Sequence, residues 1–370
     1  MEKAGGTEMK PTGSELPDVA FTENSNINLS HPGASPGSTD ISQSRFYTSL
    51  DDEKVFYRYW DPKQGSFSAI VCIIHGMAEH SERYHTFAVQ LAEALHVRVI
   101  AVDLRGHGRT ACPESDSAPL HLGVFRKGEK ARSEDAVTLM SKDVIGVIGD
   151  SMGSADLPIV LLGHSMGSVV ARAVLKNATF ETLKRIKGVI LSGVPTPPSA
   201  VEVYPLMLVG DWVKRTGLGG EFVRRNFIAG KFDYQLKSRL RLKRVENNSF
   251  ISSDPEEVRK FNNGKLTNHL VDPDIMISVV KHLRALRNPS SYFESLKGLT
   301  LPFLFVSGRD DPVCMFGATS STEAHHMRSI GQSVLEIYVG NARHEFIHEI
   351  EPVRSETVAQ VFFWIANKLK

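Results

Sequence analysis

The sequence has little cysteine: Cys72, Cys112 and Cys314 are the three among 370 residues. So few, odd in number and widely spaced, they argue against a disulfide framework and a zinc site and fit a reducing compartment. Charge of one sign is also lacking, because 43 Lys and Arg face 42 Asp and Glu for a net charge of +1. That balance argues against nucleic-acid binding through bulk electrostatics. No apolar run is long enough to cross a bilayer, and the N-terminal MEKAGGTEMKPTGSELPDVA has no apolar core of signal-peptide length. No phosphate-cradling glycine loop is evident, and no metal or organic cofactor is called for. A soluble, cytoplasmic protein is the expectation.

What is present suits a globular enzyme. Hydrophobic content of 41% and charged content of 23% are ordinary values that leave a substantial core available. Residues 1–44 are the exception, rich in Gly, Ser, Pro, Asn, Thr and Asp with Phe21 as the one aromatic. Too little apolar area is available there to offset about 1–2 kcal/mol of ordering entropy per residue, so a disordered extension is expected. From Arg45, RFYTSL and KVFYRYW read as a β-hairpin. Apolar runs of buried-strand length follow at 68–75, 97–103, 158–163, 188–193, 302–308 and 333–340, alternating with helical patterns, one of them at Ala131–Ile145. Such alternation predicts an α/β fold, a mostly parallel sheet covered on both faces. Residues 195–298 break the rhythm, open with Pro195, Pro197 and Pro198, and read as a mainly helical inserted cap. Its basic run (Arg224, Arg225, Lys237, Arg239, Arg241, Lys243, Arg244) is most simply a solvated helix face; a surface for anionic lipid headgroups is the alternative. The core then comprises 45–194 and 299–370.

The stretch GDSMGSADLPIVLLGHSMGS (149–168) contains G-x-S-x-G twice. This pattern marks a serine nucleophile on a sharp strand-to-helix turn. After Ser151 the chain soon reaches Pro158, which leaves a helix no room to form. Ser165 instead follows the apolar run PIVLLG and precedes SVVARAVLKNA, a good helix. Ser165 is the candidate nucleophile. Ser151 is expected in the turn between the preceding helix and that strand, its motif a coincidence.

A serine hydroxyl needs a base, usually histidine, oriented in turn by a carboxylate. In sheets of this kind the chain order is Ser, acid, His, each just beyond a strand. PFLFVSG is followed by Arg309-Asp310-Asp311-Pro312, and SVLEIYVG by Asn341-Ala342-Arg343-His344. His344 fills the base position, while Asp310 and Asp311 compete as the acid. Two backbone N–H groups must face the developing oxyanion. Met166 directly follows the serine, and Met77 lies behind His75-Gly76 in the loop after the first long buried strand. The Asp103-Leu104-Arg105-Gly106-His107-Gly108 loop is expected to brace the site. A His-x4-Asp pattern, His269 to Asp274, falls in the cap away from any strand end and is set aside.

With GHSMGS, HGMAEHSERY, DLRGHG, GRDDPV and ARHEFIHE, residues 45–370 resemble the monoacylglycerol lipase/lysophospholipase group of α/β-hydrolases, which includes serine aminopeptidase-like enzymes. The resemblance implies the α/β-hydrolase fold with a cap, and cleavage of lipid carboxylic esters, monoacylglycerol or lysophospholipid, through an acyl-enzyme. It favours Asp311 as acid, since the group's G-x-x-D places the aspartate three residues after Gly308 and before proline. By the same likeness His344 is the base, with Glu349 five residues on, and Met77 and Met166 supply the oxyanion hole. Glu79 and Arg83 align with residues around a glycerol-like head. One departure concerns that head, because Ile347 stands where animal monoacylglycerol lipases carry a polar side chain. The implied partner is a lipid-like ester, held by a cap whose VEVYPLMLVGDW (201–212) would line an acyl tunnel; peripheral membrane contact would fall on the cap. Short-chain carboxylesterase, aminopeptidase-like hydrolase and acyltransferase remain alternatives on the same fold. A non-catalytic binding module is disfavoured because all three triad positions are filled.

Overall fold

A computed structural model describes residues 42–112, 121–153, 155–197 and 230–370. Most of the expected N-terminal extension, Arg224 and Arg225, and the 201–212 stretch lie outside the described residues. Eight strands form one sheet: β1 (Gln43–Thr48), β2 (Lys54–Trp60), β3 (Ile70–Ile74), β4 (Arg98–Val102), β5 (Ile159–His164), β6 (Ile186–Ser192), β7 (Pro302–Gly308) and β8 (Ser333–Val339). Their order is β1-β2-β4-β3-β5-β6-β7-β8. β2 pairs antiparallel with β1 and with β4, and every other pairing is parallel. The α/β architecture and the hairpin stand as expected, although β1 begins at Gln43 rather than Arg45.

The principal helices are α1 (His85–Leu95), α2 (Ala136–Met152), α3 (Met166–Asn177), α4 (Phe180–Arg185), α5 (Gly230–Leu240), α6 (Pro255–Asn263), α7 (Pro273–Ala285), α8 (Ala318–Ser329) and α9 (Val353–Leu369). They explain why the central strands are unbroken apolar runs. In β3, Ile70, Cys72 and Ile74 join the core beneath α2 and α3, while Val71 and Ile73 join the one beneath α1 and α9. A strand covered on both faces has no polar side. Among the described residues no helix is long and apolar enough to cross a membrane.

Two local readings change. The helix expected at Ala131–Ile145 begins later, where the Asp135 side chain accepts the Thr138 N–H and caps α2. It also runs further, through Gly146 and Gly149 to Met152. Gly146 is tolerated because the Tyr47 ring fills the space a Cβ would take, 2.3 Å from its position. Ser151 is therefore in the last helical turn, not in the turn after it. Its hydroxyl donates to the Ile148 carbonyl, 3.0 Å away.

The segment between β6 and β7 has two characters. Ile275, Val279 and Leu283 of α7 are built into the core beneath α2 and α3. Ile251, Val258 and Phe261 make a small cluster of their own. Beside α2, the buried guanidinium of Arg105 forks between Asp51 (2.6 and 2.8 Å) and Asp143 (2.7 and 2.8 Å). This pairing binds the β1–β2 turn to α2. Arg105→Met would strand two buried carboxylates and is expected to lower stability by about 3–5 kcal/mol, read as the urea unfolding free energy.

Candidate active site

Ser165 occupies the turn from β5 to α3 with φ 51° and ψ −120°, a left-handed conformation costly for any residue with a Cβ. Hydrogen bonds over-determine it. Its N–H donates to the Ser192 carbonyl at 2.9 Å, and its carbonyl accepts from the N–H and hydroxyl of Ser168. The flanking glycines are demanded by close approach. A Cβ on Gly167 would stand 2.0 Å from the Ile74 carbonyl oxygen, and one on Gly163 would stand 2.5 Å from that of Gly167. The first copy of the motif has no such constraint, since a Cβ on Gly149 meets nothing within 4 Å.

Beyond β7 and β8 the loops bring His344 to Asp311. Nδ1 of His344 is 2.9 Å from Asp311 Oδ2, and the other carboxylate oxygen accepts the Val313 N–H at 2.8 Å. Asp311 is fully buried; the competing Asp310 is half-buried, its N–H spent on the Ala342 carbonyl. Gly193 leaves the imidazole its room, because a Cβ there would lie 2.7 Å from His344 Cε1. Burial alone would lower the proton affinity of His344, but the charge and hydrogen bond of Asp311 outweigh it and raise the pKa above the ordinary value. His164, next to Ser165, stacks on His344 with ring centroids 4.6 Å apart. Burial, reinforced by His344, pushes its pKa down to about 4, so His164 is a neutral neighbour.

Met166 is the first residue of α3, where N–H groups lack intrahelical acceptors. The Gly76–Met77 backbone runs alongside, as a Cβ on Gly76 would lie 3.2 Å from that of Ser165. His75 is fixed from both ring nitrogens: Nε2 accepts the Leu104 N–H at 3.0 Å, so Nδ1 carries the proton and donates to the Gly76 carbonyl at 2.7 Å. The Asp103 loop braces this region, its carboxylate accepting the Ser81 and Arg109 N–H groups. Glu79 and Arg83 are together but turned on each other, 2.7 Å apart and both buried. Asp274 is exposed at the start of α7, and His269 packs on the His107 ring.

Residues 65–351 match the model of the serine aminopeptidase, S33 family (Hydrolase_4). The chain belongs to that family. It is 24% identical over 345 residues to the monoglyceride lipase of Rattus norvegicus, covering 92% of this chain and 96% of that one. Its fold is similar to that of a thermostable carboxyl esterase from Bacillus coagulans, with a TM-score of 0.67 at 22% identity over 89% of this chain and 99% of that one. A soluble variant of monoglyceride lipase from Saccharomyces cerevisiae gives 0.64 at 17%, over 90% and 98%. The fold is thus that of the α/β-hydrolases, and this chain is a hydrolase of the carboxylic ester kind.

Two features of this hydrolase's site escaped the reading of the sequence. The first is Glu345, whose carboxylate takes the Arg83 guanidinium bidentately at 2.6 and 2.8 Å. The second is a strap from the inserted segment. The N–H groups of His344 and Glu345 donate to the carbonyls of Phe250 (3.1 Å) and Ile251 (2.8 Å), and Arg343 Nη1 donates to those of Ser249 and Ser252. The charged residues on either side of His344 were the available signal; their partners are far away in sequence. Gly167→Ala is expected to destabilise the fold by about 1–3 kcal/mol through overpacking, whereas Gly149→Ala should stabilise α2 by about 0.5–1 kcal/mol. Urea unfolding of the pair tests the assignment of the constraint to the second motif.

Proposed function

We propose that the protein hydrolyses carboxylic esters of lipids, monoacylglycerols or lysophospholipids, with Ser165 as nucleophile, His344 as general base and Asp311 as its orienting acid. The observation that carries the reading is the buried Asp311–His344 hydrogen bond beside a serine strained into a strand-to-helix turn. Because Nδ1 is committed to Asp311, Nε2 is left to take the Ser165 proton as Oγ attacks the ester carbonyl. The N–H groups of Met77 and Met166 hold the oxyanion. His344 then returns the proton to the leaving alcohol, and water repeats the cycle on the acyl-enzyme. No step calls for a metal or cofactor.

The relatives named monoglyceride lipase support the substrate class. Glu79 and Arg83 border the leaving-group side in this reading, and Ile347 makes that side less polar. Residues 195–298 serve as the cap, anchored by α7 and reaching the base through the 249–252 strap. Peripheral contact with anionic lipid would fall on Lys237, Arg239, Arg241, Lys243 and Arg244, all exposed; vesicle co-sedimentation that does not weaken with salt would count against it. The unpaired, buried state of Cys72, Cys112 and Cys314 supports a cytoplasmic setting.

A fluorophosphonate probe should label the wild type and the Ser151→Ala variant, but not Ser165→Ala. The last variant should lose about 10^4-fold or more in kcat. Equal labelling of all three would sink the assignment. A panel of esters differing in acyl length and headgroup should favour long-chain substrates. The pH profile follows from His344. Its raised pKa means that the neutral base is lost as pH falls through a value above about 6.5, so the acid limb of kcat/KM should lie above the ordinary histidine range.

A further inference from the structure

We propose that Glu345 is a positioning residue for His344, acting through a buried ionic bridge, Glu345–Arg83–Glu79, that ties the loop of the base to the loop of the oxyanion donor Met77; this rests on the assignment of His344 as the base. The bridge joins the loop after β8 to the loop after β3. Glu345 follows His344 directly, and its carboxylate holds both terminal nitrogens of Arg83. Nη1 of Arg83 also donates to Glu79 Oε2 at 2.7 Å. The other oxygen of Glu79 accepts the Gly76 N–H at 2.5 Å and the Tyr84 hydroxyl at 3.0 Å. At the far end, His348 faces Glu345 with one ring nitrogen (2.8 Å) and the Arg83 carbonyl with the other (3.0 Å).

Burial makes this bridge directional. Side-chain exposure is 9% for Arg83, 2% for Glu79 and 5% for Glu345. A bidentate, charge-assisted pair in such surroundings fixes orientation as well as distance, and a partner left alone there is strongly disfavoured. Arg83 has little left for a substrate. Both terminal nitrogens are engaged, and the Phe261 ring covers the guanidinium from 5.1 Å. Glu79, His164 and Glu345 also offer ligand atoms within 4.8 Å of one another, the spacing of a metal site, but the guanidinium is already the cation between the two carboxylates. The arrangement is a brace. One side of the base's loop is held by it, and the other by the strap at 249–252.

The bridge also bears on the charge of the base. The groups that face His344 are the carboxylates of Asp311, Glu345 and Glu79, the neutral His164 ring and the Phe250 ring. Desolvation lowers the pKa of His344, and the three carboxylates raise it, Asp311 most. Removing the Glu345 charge therefore lowers the pH at which the base is lost.

The test compares Glu345→Gln and Glu345→Asp with the wild type and with Ser165→Ala, using the full chain and a monoacylglycerol substrate, with rates per fluorophosphonate-labelled site. Glu345→Gln should lower kcat about 10–100-fold with KM within about threefold, and move the acid limb to lower pH. Glu345→Asp keeps the charge with a shorter reach, so it should keep the acid limb near the wild-type position and recover part of kcat. Wild-type kcat and acid limb in Glu345→Gln would overturn the proposal. So would a rise in KM alone, the mark of a headgroup contact, or a loss in both variants matched by their unfolded fraction in urea titration. Activity retained by Ser165→Ala would instead overturn the triad reading; an inactive Ser165→Ala beside an unimpaired Glu345→Gln would overturn only the role of Glu345.

Discussion

The backbone of Gly167 lies against the carbonyls of Ile74 and His75, with room for a hydrogen atom and nothing larger. Much of the site depends on that approach. It presses the start of α3 onto the end of β3, which forces Ser165 into its left-handed turn and brings the Gly76–Met77 backbone beside it. The strain at Ser165 persists because the Ser192 carbonyl and Ser168 hold both ends of its backbone. A local steric requirement thereby places Ser165 and two loops within one small region.

Around this point the protein uses buried charge where apolar packing cannot reach. Arg105 binds the first turn to α2, Arg83 binds the loops after β3 and β8, and Arg172 binds α3 to Glu323 of α8. Such pairs add little net stability over apolar residues of the same volume, but breaking one is strongly unfavourable. Their effect is to give loops a single arrangement. The loop carrying His344 is held from both sides, with Arg343 turned toward the segment between β6 and β7 and Glu345 toward Arg83.

The inserted segment is accordingly less separate than its sequence suggests. Its proline-rich opening and broken rhythm mark an insertion, yet α7 shares the core of α2 and α3. Phe250 and Ile251 accept the N–H groups of His344 and Glu345. Movement in that strap would be felt at the imidazole, because backbone hydrogen bonds couple the segment between β6 and β7 to the loop of His344.

By itself the sequence determined whatever depends on local period and local sterics. Apolar runs of strand length flanked by helical patterns specify a sheet covered on both faces, and β3 and β5 follow that reading. Pro158 and the helix after Ser165 separate the two serine motifs. Helix limits were less legible, since Gly146 and Gly149 disfavour a helix that packing against Tyr47 maintains. Tertiary structure alone decided which charges meet. Asp310 and Asp311 are adjacent in one loop, and only the fold turns Asp311 inward onto His344. Glu345 and Arg83 are 262 residues apart in the chain, and no periodicity relates them. Pairings across such separations arise from where the sheet brings its strand ends, which is a property of the assembled core.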